Sequence, residues 1–481
     1  MKGFVASLIQ GFDVFILVYF LALNGLYMAF SLVALVVLVR HRRRWTPQAL
    51  DTVLRSPATP PISVIVPAFC EESTIAESLR GLLLLNYPQF EVVVVNDGST
   101  DRTLDVLVEA FGLVRAPVAY QQPLDTAPVR GLYRSLDHPD LVVIEKVNGG
   151  KADSINAGIN AARHDLVCVI DADSLLEELA LVRAVLPFIE DPTTVAMGGI
   201  IRIVNGCEVD AGRVTGVRLP KDWLARFQVV EYLRAFLAGR VAMSAMNCLL
   251  IVSGAFGVFR RDAVVEVGGF RTDTIGEDME IIVRLHRYLR QRERPYRIVF
   301  QPDPVCWTEV PESPRILGNQ RNRWHRGTMQ VLSAHAQMIG SARYGAVGMF
   351  ALPYFAVFEA ASPVVEAFGY LLNTAGLVFG LVDVEFAQLF FLTAIAFGSL
   401  ISVTSVLLEE IAFRRYPRSR DLVLLVIVGV LENCGYRQLT TWWRLRGMWD
   451  FFRGRQGWGQ MVRKGFVDPL PGARPPAVSP E

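Results

Sequence analysis

Two aspartates, Asp171 and Asp173 in "DADS", close the apolar run "LVCVI" (166–170). On extended backbone their side chains would point to one side. Two hard carboxylates with open neighbouring positions suit Mg2+ or Mn2+. Such an ion would also hold a diphosphate and stabilise it as a leaving group. A solvated turn uses the same residue types, so the context of the pair matters. Three other apolar runs end alike. "ISVIVP" (62–67) leads into "PAFCEE" with Glu71, "EVVVV" (91–95) into "NDGS" with Asp97, and "LVVIE" (141–145) into "KVNGGK" with Lys151. Asp97 can accept hydrogen bonds from a ribose or a base N–H. Gly149 and Gly150 allow close backbone approach, and Lys151 adds a point charge where a helix start attracts anions. Further on, "TIGEDMEIIVRL" (274–285) opens a helix with Glu277 and Asp278. These read equally as acids favoured in a first turn or as a general base for an acceptor hydroxyl. "QRNRW" (320–324) supplies arginines that fork onto phosphate oxygens and an indole face for a sugar ring. The same residues would also serve as an anchor at a membrane surface.

These residues need a frame that brings them together. The four runs are short, apolar and β-branched, and read as buried strands. Helical segments separate them: 74–85, with Thr74 and Glu77 at capping-box spacing, then 100–111 and 152–162. Alternating strands and helices predict an α/β fold with a mostly parallel sheet covered on both faces. Such sheets bind ligands beyond the carboxyl ends of their strands, where the polar rims fall. G-x-x-x-x-G-K-[ST] is absent, and no G-x-G-x-x-G follows the first strand. A P-loop and a dinucleotide-dependent oxidoreductase are therefore disfavoured.

The remainder of the chain is unusually apolar. Of 481 residues, 52% are hydrophobic and only 20% charged, which predicts a membrane protein with a sizeable soluble part. Lys+Arg total 48 against 47 Asp+Glu, so no basic field points to nucleic acid. Residues 12–39 carry one charge and are long enough to span a bilayer. "RHRRR" (40–44) follows, which predicts that this end faces the cytoplasm and that the next domain is cytosolic, on an inner (plasma) membrane. "SPATPP" (56–61) reads as a stiff linker. Residues 346–382 read as one kinked span or a span plus an interfacial piece, and 384–408 as a span. Residues 422–431 are too short to cross unless their polar neighbours face protein or a cavity. In 220–240, apolar residues recur at helical spacing among Lys221, Arg226, Arg234 and Arg240. This is either a helix lying in the membrane interface or one packed on the sheet. The chain thus divides into 1–45, 60–335, 345–445 and a basic, then Pro-rich tail over 446–481. Six scattered cysteines form no C-x-x-C pair. Cys168 reads as core and Cys70 as loop filler at a strand end.

Asp97 in "VNDGS", Asp171 and Asp173 in "DADS", Glu277-Asp278 in "GED" and "QRNRW" occur in a fixed order. Taken together they resemble the processive membrane glycosyltransferases of family 2, which include cellulose, chitin, hyaluronan and poly-N-acetylglucosamine synthases. The likeness covers about residues 60–330. "SGAFGVFRR" (253–261), with Gly254, is similar to that family's acceptor-contact segment. The resemblance implies a GT-A type α/β domain with transmembrane and interfacial helices. It also implies inverting, processive transfer of hexose units from a UDP-sugar to a growing β-linked polysaccharide, coupled to export through the membrane. In that reading Asp97 contacts the uridine part, Asp171 the nucleotide, and Asp171 with Asp173 a Mg2+ or Mn2+ ion. Asp278 is the catalytic base, while Gln320, Arg323 and Trp324 hold the diphosphate and the acceptor sugar. Glu71, Lys151 and Gly254 complete the substrate contacts. The partners are a UDP-sugar, a carbohydrate acceptor and membrane lipids. The chain departs from several relatives in having one N-terminal span. No regulatory nucleotide-binding signature follows the membrane part, so activation by a second messenger has no support within this chain. Two alternatives stand beside this one. Ceramide glucosyltransferases look similar around the D-x-D and R-W motifs, which allows single transfer to a lipid. A non-catalytic membrane protein that binds nucleotide-sugar belongs to another class.

Overall fold

Strand bodies such as "VVVV" and "LVCVI" carry no charge and are stable only with both faces covered. In the computed structural model they form the middle of one large sheet. The structure describes residues 2–455 apart from 118–119, 381–383 and 417. The Pro-rich stretch 467–481 and most of the basic segment before it lie outside the described residues.

Among the described residues the sheet has ten strands. They are β1 (Ile62–Ala68), β2 (Phe90–Asn96), β3 (Leu113–Ala116), β4 (Val129–Ser135), β5 (Leu141–Lys146), β6 (Leu166–Ile170), β7 (Leu175–Leu176), β8 (Thr194–Ile203), β9 (Phe256–Arg260) and β10 (Arg297–Thr308). Their order is β3-β4-β5-β2-β1-β6-β9-β8-β10-β7. The four strands read from the sequence, β1, β2, β5 and β6, are parallel neighbours. β8 and β10 are also parallel, and β9 runs antiparallel between β6 and β8. The register levels the strand ends. Asn96 lies opposite both Ala68 and Glu145, and Ile65 opposite Val169. Phe256 lies opposite Ile170, so the loop that enters β9 meets the rim where β6 leaves it.

The helices that position the site are α1 (Lys2–Arg44), α2 (Lys151–Ala161), α3 (Trp223–Leu233), α4 (Glu277–Gln291), α5 (Pro314–Ala334), α6 (Ser362–Val378), α7 (Val384–Ala412), α8 (Ser419–Leu431) and α9 (Tyr436–Phe452). The predicted helix at 74–85 runs over Ile75–Leu83, without its capping box. The Thr74 hydroxyl donates to Glu71 Oε2 instead, at 2.9 Å.

Among the described residues, Val14–Arg44, Val347–Val378 and Ile395–Ala412 are long and apolar enough to cross a membrane, which marks the chain as a membrane protein. The described part of 346–382 forms one candidate span, Val347–Val378. It has wide π turns at Val347–Ala351 and Phe355–Ala360, then α6 with Pro363 in its first turn. α8 has 13 residues, fewer than a span needs. With α9 it forms a pair bent by 57° that passes as a fourth candidate. Glu432 and Asn433, at the bend, are buried inside the protein.

The segment 220–240 is packed against the rest of the protein along one face. α3 continues through wide π turns at Arg234–Arg240, and Val229, Val230, Leu233, Phe236 and Leu237 are all buried. Phe236 stacks on Phe300 of β10, with ring centroids 6.0 Å apart, while Arg234 pairs with Glu432 beyond α8. One segment therefore ties the sheet to the apolar helices. Two further links do the same. Arg202 of β8 pairs with Glu409 of α7 at 2.8 Å, both nearly inaccessible. His41, in the basic end of α1, lies 2.5 Å from Asp303 of β10.

Candidate active site

The level strand ends bring the acidic and Gly-rich loops to one rim, where helix N-termini also point. Asp97 follows β2 and is buried. Its carboxylate accepts from Gly149 N–H at 2.9 Å, Gly150 N–H at 2.8 Å and Lys146 Nζ at 2.5 Å. Lys146 is wholly buried and also reaches Asp153 at 2.6 Å. Asp97 thus fixes the glycine loop that starts α2 while lining the cavity. Gly98 has φ +64, and a Cβ there would come 2.8 Å from Asn148 N.

Asp171 and Asp173 leave β6 in a turn closed by Ser174 N–H donating to Asp171 C=O at 3.0 Å. The extended backbone predicted for this pair is replaced by that turn because the chain must reverse toward β7. Both residues line the cavity. Lys151, the first residue of α2, places Nζ 2.5 Å from Asp171 Oδ1 and 3.8 Å from Glu277 Oε1. It also donates to Gly254 C=O at 3.3 Å. A Cβ on Gly254 would lie 2.8 Å from that Nζ, so a side chain here would displace the lysine. Burial alone would lower Lys151, but Asp171, Glu277 and Asp278 outweigh it and hold the amine above its usual value.

Glu277 and Asp278 open α4. Asp278 Oδ2 accepts from Gly254 N–H at 3.3 Å, and Oδ1 from Met279 N–H at 2.8 Å. Burial raises both carboxyls above the ordinary range, opposed for each by Lys151 and for Asp278 also by Arg240. A carboxyl held above the ordinary range is a stronger proton acceptor once ionised, which suits general-base work.

α5 carries Gln320, Arg323 and Trp324 to the same cavity. It touches the start of α4 through two glycines. A Cβ on Gly276 would meet Gly327 Cα at 3.1 Å, and one on Gly327 would meet Gly276 Cα at 3.0 Å. This contact sets the distance between the Asp278 helix and the Trp324 helix. Gln320 is buried, and its Oε1 has no hydrogen-bond partner. Trp324 is 43% exposed. The Arg321 guanidinium lies 4.2 Å from its ring centroid and pairs with Glu231 at 2.8 Å.

All the sequence-predicted site residues line one cavity of about 1370 Å³: Glu71, Asp97, Lys151, Asp171, Asp173, Gly254, Asp278, Gln320, Arg323 and Trp324. The same cavity runs on among the apolar helices, past Tyr27, Glu366, Glu432 and Thr441. Among the described residues no group of three or more His, Cys, Asp or Glu side chains could hold an ion. Two aspartates still fit Mg2+ or Mn2+. Such ions are often bound through one or two carboxylates, with phosphate oxygens and water completing the shell.

Comparison with known proteins agrees with this geometry. Residues 63–120 match glycosyl transferase family 2, and residues 118–327 match glycosyltransferase like family 2. The chain belongs to glycosyltransferase family 2. This glycosyltransferase is 28% identical over 272 residues to poly-beta-1,6-N-acetyl-D-glucosamine synthase of Staphylococcus aureus (strain COL), which covers 56% of this chain and 55% of that one. The synthase of Staphylococcus epidermidis is 28% identical over 271 residues. The match thus spans about half the length of these curated relatives. In fold, the enzyme is similar to a mannosyltransferase from Pyrobaculum calidifontis in complex with GDP-Man and Mn2+. The TM-score is 0.50 and the identity 19%, over 86% of this chain and 99% of that chain. The mostly parallel sheet is accordingly of GT-A type, with several long apolar helices added.

Sequence reasoning did not single out four residues of this glycosyltransferase's cavity or its support. Lys146 closes an apolar strand with a charge, a signal that was available. Arg240 was read only as one cation of an amphipathic helix. Glu231, which accepts from Arg321, and Tyr436, whose hydroxyl donates to Glu231 from another helix, leave no local trace in the sequence.

Proposed function

We propose that the chain transfers hexose units from a UDP-sugar, with inversion, to a growing β-linked polysaccharide and passes the product across the membrane. The observation that carries this reading is the continuous cavity. It joins Asp171, Asp173 and Asp278 at the sheet rim to polar residues among the membrane-crossing helices. A growing polymer needs such an extension along its length, whereas a lipid acceptor needs only an opening from the bilayer to the rim. The named relatives favour N-acetylglucosamine as the first donor to try.

In this mechanism the uridine diphosphate lies along the rim between Glu71, Asp97 and the glycine loop. Asp171 and Asp173 would hold the Mg2+ or Mn2+ ion, which supplies positive charge for the departing diphosphate. Lys151 at the helix start and Arg323 add fixed cations on the chain itself. Trp324 presents its open face to the acceptor sugar. The acceptor hydroxyl attacks the anomeric carbon as Asp278 takes its proton. The bond from that carbon to the phosphate oxygen breaks and UDP leaves. The basic end of α1 is held against the sheet domain by the His41–Asp303 contact, which supports a cytoplasmic position for the catalytic domain at an inner membrane.

The test is incubation of purified protein with separate UDP-sugars and Mn2+ or Mg2+, followed by glycosidase digestion of the product. A ladder of β-linked polymer is expected. A single glycolipid product would replace this reading with the lipid-acceptor one, and UDP-sugar binding without turnover would favour the non-catalytic one.

A further inference from the structure

Beyond the rim, the cavity wall is built by residues of the candidate membrane helices and of the segments joined to them, and its charges are arranged in pairs. Arg437 of α9 meets Glu366 of α6 at 3.2 Å. Arg444 of α9 meets Glu359 at 3.3 Å. Arg234, from the π turns after α3, meets Glu432 at the α8–α9 bend. Among the described residues lining this half, no charged side chain lacks an opposite partner. Neutral donors complete the carboxylates. Thr441 Oγ1 donates to Glu366 at 2.7 Å, Ser362 Oγ to Glu366 at 3.1 Å and Tyr27 OH to Glu359 at 3.1 Å.

Each pair presents guanidinium and hydroxyl donors together with carboxylate acceptors, yet no net charge. Hydroxyl- and amide-rich ligands can exchange hydrogen bonds with such a surface without disturbing it. A ligand with a carboxylate or ammonium on every other unit meets a like charge beside every opposite one. It must break a pair or enter desolvated and uncompensated. We propose that the membrane half of the cavity takes an uncharged glycan and discriminates against chains bearing uronates or free amines. The proposal rests on the reading that a glycan occupies this passage, and it adds that occupant's charge class.

The test uses the full chain purified in lipid nanodiscs and three end-labelled oligosaccharides of equal length. One is an N-acetylhexosamine oligomer, one is its de-N-acetylated form, and one alternates N-acetylhexosamine with uronate. The neutral oligomer should bind at least tenfold tighter than either charged one. Glu366→Gln leaves Arg437 uncompensated and should shift the preference about tenfold toward the anionic oligomer. Arg437→Gln should shift it as far toward the cationic one. The same opposed pair of variants at Glu359 and Arg444, whose side chains are 31% and 27% exposed, repeats the test if the deeper variants fail to fold. Equal binding of all three oligomers overturns the proposal, as do opposed variants that move the preference the same way or not at all. If the wild type makes polymer but shows no charge discrimination, this inference fails and the proposed function stands. If no oligomer binds and only single transfers occur, the reading beneath it fails as well.

Discussion

At the sheet rim Glu71, Asp97, Asp171, Asp173, Glu277 and Asp278 line the cavity with few cations among them, chiefly Lys151, Arg240 and Arg323. Among the candidate membrane helices Glu359, Glu366 and Glu432 each face an arginine. The first half gathers carboxylates and cations in one space, with Asp97 met by Lys146 and Asp171 by Lys151, and suits a ligand that arrives with divalent charge and diphosphate. The second is complete before anything binds. Buried ion pairs are costly to desolvate and weak evidence of stability, so their presence along a passage points to what the passage must hold. A surface that is polar but neutral can guide a sugar chain without trapping it.

Substitutions at the rim should be the most damaging. Asp278→Asn keeps the size of the side chain but only one oxygen to accept from the Gly254 and Met279 N–H groups, and it removes the proton acceptor. Turnover should fall about 10²–10⁴-fold, with UDP affinity retained in equilibrium binding. Full transfer activity in that variant would remove Asp278 from the mechanism. Asp173→Asn weakens the carboxylate pair and should cost about 10²-fold, since charge stabilisation by the ion is worth several kcal/mol. The metal concentration for half-maximal activity should rise with it. An unchanged metal requirement would mean that the ion sits elsewhere.

The contrast between the halves also explains what the sequence made legible. The rim could be read because each of its residues follows an apolar strand, so one local pattern marks both element and position. β1, β2, β5 and β6 were found for the same reason. β9 was not read as a strand, since its antiparallel insertion depends on pairing with β6 and β8 rather than on its own residues. The wall of the membrane half was invisible for a related reason. Glu366 and Arg437 lie 71 residues apart on two different helices, and only helix packing brings them together. Composition showed that the spans carry acids; it could not show which arginine answers each one.

A smaller effect is expected at Trp324, which lines the cavity from α5. Trp324→Ala should raise the acceptor KM about threefold to tenfold, the range of an aromatic contact worth about 0.5–1.5 kcal/mol. Trp324→Phe should recover most of it. If Ala and Phe behave alike in acceptor titrations, the ring has no stacking role.

The π turns after α3 place two arginines in the two halves, and this allows a matched comparison. Arg240 belongs to the rim, where burial raises Asp278 and the cations Lys151 and Arg240 lower it. Asp278 must be ionised to accept a proton, so activity falls as pH drops through its pKa. Removing one opposing cation raises that pKa further. Arg240→Met should therefore move the acidic limb of the kcat/KM profile to higher pH, by about one unit for the loss of a nearby charge. Arg234 faces Glu432 in the membrane half, away from the base. Arg234→Met should leave the limb where it is, whatever it does to product length. A limb that moves equally in both variants would mean that the two halves share one electrostatic environment, and the division drawn from their charge pairing would not hold.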